Sequence, residues 1–471
     1  MIKIGLFGIG LDTYWPQFEG LLDRLKGYQQ TVAQNLASTG AFVHNEGIID
    51  NPESARQTAE KFVTSGVDAV FLFIATYALS HNLLPVLQRL KVPLVVLNLQ
   101  PEKAIDYAAF NATGDRGQMT GEWLAYCQSC VAPEIASVLN RSGNPFYLIS
   151  GYLHEPYVWR EVDEYVSAMT VQKAMRNNRV GLLGHYYNGM MDVYADLTQQ
   201  VACFGNHFEI IEIGVLKALR DGVTEEEVAE KIRDFQASFL MSRECAPEEI
   251  LRAAKTSVAL DKLVLRYNLG SLAYYYEGEG DAAYLDIVSS LIPGLTLLTG
   301  RQVPVAGEYE VKNVQAMKIM DVLGCGGSFS EFYALDFDDE IVLLGHDGPA
   351  HFSIADGKVD LVPLPVYHGK PGKGLSIQMK VKSGPVTLLS VGQGVNGKLF
   401  LLVAEGVSED GPTLQIGNTN SRYRFSLPVR EFIDRWSKAG PSHHCAIGIG
   451  HKARVLQKLA SLLQIECVQI C

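Results

Sequence analysis

No apolar run in this sequence reaches the roughly eighteen residues that a bilayer-crossing helix requires, so no membrane association is expected. Positive charge is scarce: 40 Lys and Arg stand against 52 Asp and Glu, for a net charge of −12. Without a dense basic run, that balance argues against nucleic acid as a partner. The opening segment, MIKIGLFGIG, has no basic region ahead of a long apolar stretch and cleavage site; it reads as a first β-strand, and a cytoplasmic location is expected. Cysteine is sparse, with eight residues scattered along the chain. The close pair, Cys127 and Cys130 in GEWLAYCQSC, reads as helical. It lacks both the second ligand pair of a structural zinc site and the strand that would precede a redox motif, so these are read as reduced, structural thiols. No G-x-G-x-x-G fingerprint or Walker loop occurs in its proper context, which removes the commonest nucleotide-binding signals.

What is present is a chain of 471 residues, 47% apolar and 20% charged, with material for two or three domains. The first third alternates strand and helix patterns: KIGLFGIG, FEGLLDRLKGYQQTVAQNLAS, AFVHNEGII, NPESARQTAEKFVTS, VDAVFLFI, ALSHNLLPVLQRL and VPLVVLNLQ. Strands so uniformly apolar belong in a parallel sheet covered on both faces, with ligands beyond the carboxyl ends of its strands. A second α/β pattern begins near residue 170, with RVGLLGHYYNGM, FEIIEIGVLKAL and the amphipathic TEEEVAEKIRDFQASF. From about residue 325 short β-rich runs separated by turn residues predict an antiparallel barrel or sandwich. The expected architecture is two doubly wound α/β domains, 1–170 and 171–324, followed by a mostly antiparallel β-barrel domain, 325–471.

One stretch poses a chemical question. VPVAGEYEVKNVQAMKIMDVLGCGGSFSEFY (303–333) carries Glu308 and Glu331 on either side of a Gly-Gly pair in largely apolar surroundings. Carboxylates there are costly to bury unless they are paired or hold a cation. Glu308 is read at the start of a helix. His346 ends an apolar strand in VLLGHDG, and His443 and His444 form a doublet in GPSHHCAIGIGH. Each has a bland reading: a first-turn charge favoured by the helix dipole, or a hydrogen-bonded core histidine. Together, two carboxylates and two imidazoles form a mixed N/O set suited to Mn²⁺ and similar divalent ions. The acidic residues of YYYEGEGDAAY, Glu277, Glu279 and Asp281, read instead as a solvated turn.

These segments resemble the L-arabinose isomerase family, within the L-fucose/L-arabinose isomerase superfamily. PGLTLLTGRQVPVAGEYEVKNVQAMKIM is similar to that family's Pro-Gly-Leu stretch followed by Ala-Gly-Glu-Gly-Asp and a helix. GGSFSEFY resembles its Gly-Gly-Thr-Ser-Phe-Met-Glu-Asp-Tyr, VLLGHDG its Leu-Gly-Ser-His, and GPSHH its Gly-Gly-Ala-His-His. The four motifs occur in the family's order. The resemblance implies metal ligation by Glu308, Glu331, His346 and His444, with Glu308 and Glu331 also catalytic. It further implies sugar contacts from His443, Tyr333, Gln100, Tyr14 and Met190. The implied activity is Mn²⁺-dependent (or other divalent-metal-dependent) aldose–ketose isomerisation of an open-chain monosaccharide through a cis-enediol. A homo-oligomer, trimer or hexamer, is implied too, with the first domain of one subunit closing its neighbour's site. This chain reads Glu308-Tyr309-Glu310-Val311 where the family has Glu-Gly-Asp-Trp, and DGPAHF after His346 is closer to the fucose side, so the resemblance does not specify the sugar. Two other readings use the same scaffold: a non-catalytic sugar-binding or regulatory protein, and a related metal-dependent sugar epimerase. The first needs neither paired glutamates nor a metal.

Overall fold

The structure, a computed structural model, describes residues 1–277, 281–367 and 370–471. Glu279 of the acidic turn therefore lies outside the described residues. The chain forms two compact units, Met1–Lys173 and Ala174–Cys471.

The first unit carries a five-stranded sheet of β1 (Lys3–Ile9), β2 (Phe42–Ile49), β3 (Ala69–Ile74), β4 (Leu94–Gln100) and β5 (Tyr147–Tyr152), in the order β2-β1-β3-β4-β5. Every pairing is parallel. The central strand β3 is buried throughout, which is why it reads as an unbroken apolar run rather than an alternating one. The helix Pro52–Ser65 shows how local signals place its ends. Asn51 caps it by accepting the Ser54 N–H, proline occupies the first turn, and Gly66 closes it in the left-handed region at φ 62°. The segment ALSHNLLPVLQRL, expected to continue the helical pattern, forms only a 3₁₀ turn at Ser80–Asn82 and one α-turn at Leu84–Leu87.

The second unit opens with β6 (Arg179–Gly184), β7 (His207–Ile211), β8 (Phe239–Met241), β9 (Ser271–Tyr275) and β10 (Val305–Ala306). Four of these form a parallel sheet in the order β10-β9-β6-β7. Then come β11 (Gly326–Asp336) and β12 (Ile341–His346), followed by the short β13 (Val359–Pro363), β14 (Val366–Tyr367), β15 (Lys370–Pro371) and β16 (Leu375–Gln378). The chain ends with β17 (Gly384–Gln393), β18 (Leu399–Glu409), β19 (Thr419–Phe425), β20 (His444–Ile449) and β21 (Glu466–Gln469). The order β17-β20-β11-β12-β19-β18, closed by β18 pairing back to β17, makes a six-stranded antiparallel barrel, with β21 added parallel to β18. Closure removes the free edges that an open sheet would present. The fold is thus parallel α/β sheets followed by an antiparallel barrel, as the residue pattern predicts.

The helix Val311–Val322 joins these two parts of the second unit, packing on β9 and β10 and on β11, β17 and β20. It is buried on nearly every side, including Lys312, Asn313, Gln315 and Asp321. Among the described residues no single helix is long and apolar enough to cross a membrane.

Candidate metal and sugar site

The Gly-Gly pair answers the question set by Glu308 and Glu331. After the 12-residue helix, about 18 Å long at the α-helical rise, the chain must turn back close against it. Gly326 and Gly327 do this at φ 95° and 109°. A Cβ at Gly327 would lie 2.7 Å from the Met317 carbonyl oxygen and 3.0 Å from Met320 Cβ, so only glycine fits. The returning strand then needs about 17 Å to reach Glu331 at the β rise, which brings it alongside Glu308.

Glu308 itself does not lie in the helix. The helix begins at Val311, and Glu310 is its N-cap, its side chain accepting the Lys312 N–H at 3.2 Å. Glu308 and Tyr309 are consecutive left-handed residues at φ 57° and 59°. They are held there by Tyr309 N–H to the Tyr274 carbonyl and Glu310 N–H to the Gly307 carbonyl, both 2.9 Å. Such conformations cost non-glycine residues on the order of 1–3 kcal/mol each and gather at functional sites. This corrects the expectation of a first-turn glutamate stabilised by the helix dipole: the left-handed pair turns Glu308 out of the helical path.

The barrel supplies the remaining groups through strand register. Glu331 of β11 pairs with Gly345 of β12 on one side and with His444 of β20 on the other. His346 is the last residue of β12. Phe329, two residues before Glu331, packs against both imidazoles, its ring centroid 4.4 Å from each. The result is a tight cluster. Glu308 Oε2 is 3.3 Å from His444 Nε2 and 3.7 Å from His443 Nε2, and Glu308 Oε1 is 3.9 Å from His346 Nε2. Glu331 Oε2 lies 3.9 Å from His443 Nε2. Two triads, Glu308–His443–His444 and Glu331–His346–His444, each have ligand atoms mutually within 4.8 Å.

The donor set fits a divalent cation on its own chemistry. Glu308 Oε2 and both His444 ring nitrogens are buried without a hydrogen-bond partner, a costly state for a carboxylate and an imidazole unless something binds them. At His444 the Nδ1 side faces Glu310 Oε2 at 3.6 Å, leaving Nε2 directed at Glu308. At His346, Nδ1 has two neighbours, the Gly348 N–H at 3.1 Å and Asp347 Oδ1 at 3.4 Å; with Nε2 on a cation the ring proton moves to Nδ1, where Asp347 would accept it in place of the Gly348 contact. Carboxylates behind the far ring nitrogen are the usual backing of metal-binding histidines.

Electrostatics split the two glutamates. Burial would raise the Glu308 carboxyl, but the imidazoles of His444, His346 and His443 outweigh it and hold the group below the ordinary range. At Glu331 burial prevails over His444 and His443, with Glu308 and Asp347 adding to it, and the carboxyl is raised. His444 is pushed up to about 9: burial acts to lower it, and the Glu308 and Glu310 carboxylates overcome that.

The other sequence-derived positions fall as follows. Tyr333 lies on β11 beyond Glu331, at a register irregularity, and its hydroxyl accepts the Asn418 side-chain N–H at 3.0 Å. His443 is half-exposed at the mouth of the cluster. Met190 sits in the loop after β6, just before a 3₁₀ turn at Met191–Val193. Tyr14 and Gln100 belong to the first unit, at the carboxyl ends of its strands: Tyr14 ends the 3₁₀ turn after β1 and Gln100 ends β4. Four residues escaped the sequence reading: Phe329, Glu310, Lys312 and Asp192. Phe329 and Glu310 each stand two positions from a glutamate already singled out, which is the one signal that could have found them.

Residues 326–466, the barrel that holds Glu331, His346 and His444, match the L-arabinose isomerase C-terminal domain family. The chain is similar to L-arabinose isomerases. It is 22% identical to the L-arabinose isomerase of Nocardioides sp. over 445 residues, covering 91% of this chain and 85% of that protein. The L-arabinose isomerase of Anoxybacillus flavithermus is 21% identical over 482 residues, covering 96% of this chain and 91% of that one. L-arabinose isomerase 1 of Bacillus licheniformis is 23% identical over 340 residues, or 70% and 67% of the two chains. The chain therefore aligns with such relatives along nearly its full length, including the segment that carries Glu308.

Proposed function

We propose that this protein is a metal-dependent aldose–ketose isomerase acting on an open-chain monosaccharide. The observation that carries the reading is the convergence of Glu308, Glu331, His346 and His444, drawn from four separate segments, with Glu308 Oε2 and the His444 ring nitrogens buried and not hydrogen-bonded. These four would hold a divalent ion, Mn²⁺ or a similar one. When bound, the ion supplies polarisation of the carbonyl and its neighbouring hydroxyl, which acidifies the adjoining C–H. The chain's own groups move the protons. One of Glu308 and Glu331 removes the C–H proton, and the other exchanges protons with the oxygens, so that aldose and ketose interconvert through a cis-enediol. His443 and Tyr333 stand beside Glu331 to contact sugar hydroxyls; Tyr14, Gln100 and Met190 complete the proposed sugar contacts.

The same reading takes the chain as three domains, 1–170, 171–324 and 325–471, working in the cytoplasm as a homo-oligomer of three or six subunits. The test is a panel of aldoses and ketoses with Mn²⁺, reading ketose formation, for the native chain and for Glu308→Gln and Glu331→Gln. Turnover of one sugar, lost by at least about a thousandfold in both variants, is expected. Near-native turnover in either variant overturns the assignment.

A further inference from the structure

Asp192 lies in the loop after β6, 251 residues before His443, yet its Oδ2 accepts both the His443 Nδ1–H at 2.6 Å and the His443 backbone N–H at 3.0 Å. The loop is fixed from two more sides. Its Asp192 carbonyl accepts Lys312 Nζ at 2.7 Å and the Ser442 hydroxyl at 3.2 Å. Lys312 is itself buried and ion-paired to Glu310 at 3.3 Å, so the carboxylates behind His443 and His444 hang on one lysine.

A carboxylate only accepts hydrogen bonds, so Nδ1 of His443 carries a proton, and in the singly protonated ring Nε2 is left with a lone pair. It points at Glu308 Oε2, 3.7 Å away, and Glu331 Oε2, 3.9 Å away. Three electron-rich atoms thus face one small space at distances too long for direct hydrogen bonds, an arrangement made for something that donates a hydrogen or carries positive charge. An imidazole without the Asp192 contact could place its proton on Nε2 and aim a donor at the carboxylates instead.

We propose that Asp192 is a positioning residue: it locks His443 in the Nδ1–H tautomer so that Nε2 accepts a hydrogen bond from a sugar hydroxyl held between Glu308 and Glu331. The sugar in this statement rests on the isomerase reading; the tautomer does not. Sequence similarity gave no part of it, because the contact joins a loop of the α/β region to the start of β20 across the second unit.

The experiment is magic-angle-spinning ¹⁵N NMR on the full chain labelled at histidine, without metal, with the pH raised until the His443 ring carries a single proton. The His443 signals are assigned by their loss in His443→Gln. In the native chain His443 is expected with Nδ1 protonated and Nε2 bare. In Asp192→Ala a protonated Nε2 signal appears, and in Asp192→Glu the native pattern returns, since the half-exposed site has room for one more methylene. On the sugar found to be a substrate, Asp192→Ala lowers kcat/KM about 10- to 100-fold and Asp192→Glu regains part of it, with unchanged melting temperature in both. A native, singly protonated His443 with its proton on Nε2, or ring shifts unmoved in Asp192→Ala, overturns the proposal. The expected tautomers in a chain that turns over no sugar uphold the positioning role and overturn the isomerase reading instead.

Discussion

Glu308 Oε2 and His444 Nε2 lie 3.3 Å apart, both buried and neither hydrogen-bonded. The two groups are paired by charge but by no hydrogen bond, and the left-handed backbone at Glu308 adds a cost. Stability has been yielded at this point to a poised site.

Replacing Glu308 by glycine should therefore separate stability from function. Glu308→Gly relaxes φ 57°, and above about pH 9, where His444 no longer gives the carboxylate a charged partner, the metal-free variant is expected to equal or exceed the native chain by about 0–2 kcal/mol in urea unfolding. Its Mn²⁺ affinity should fall by at least about a hundredfold. Destabilisation beyond about 1 kcal/mol would show that Glu308 supports the fold instead.

Metal binding should release a proton. His444 is held up to about 9 in the free protein, and an imidazole must be deprotonated to ligate. Mn²⁺ affinity is expected to climb with pH, by about tenfold per unit when one proton is displaced, and to level off above that value. Titration calorimetry in two buffers of different ionisation enthalpy measures the proton count. An affinity that is flat from pH 6 to 8 contradicts it.

The glycine turn should tolerate no side chain. Gly327→Ala puts a methyl group 2.7 Å from the Met317 carbonyl oxygen at φ 109°. A loss of about 2–4 kcal/mol is expected, with Mn²⁺ binding weakened because Glu331 shifts against Glu308. An unchanged urea midpoint together with native affinity would refute the role given to the turn.

Away from the site, Asp286 should govern part of the acid limb of stability. Burial would raise its carboxyl, but the Arg252 and Arg220 guanidiniums, each 2.7 Å away, hold it below the ordinary range. The unfolded chain then binds the proton more readily. Stability from this group is complete above the ordinary aspartate value near about 4 and is lost as pH falls through the lowered one. Asp286→Asn is expected to be less stable at neutral pH by about 1–3 kcal/mol and less sensitive to acid. Equal slopes for both chains below pH 4, in urea unfolding, would count against it.

The sequence by itself determined the layering of this protein. Uniformly apolar runs such as VDAVFLFI can be covered only inside a parallel sheet, and the short, turn-separated runs after residue 325 had to pair antiparallel, because hydrophobic burial follows the period of the pattern. The order of motifs also marked Glu308, Glu331, His346 and the histidine doublet, since cation chemistry draws on few residue types. Tertiary structure alone decided how they meet. Strand register set Glu331 opposite His444, a left-handed pair with no sequence signature turned Glu308 out of its helix, and a loop 251 residues away brought Asp192 beneath His443. Contacts at that range depend on where whole elements pack, and side-chain pattern along the chain carries no record of it.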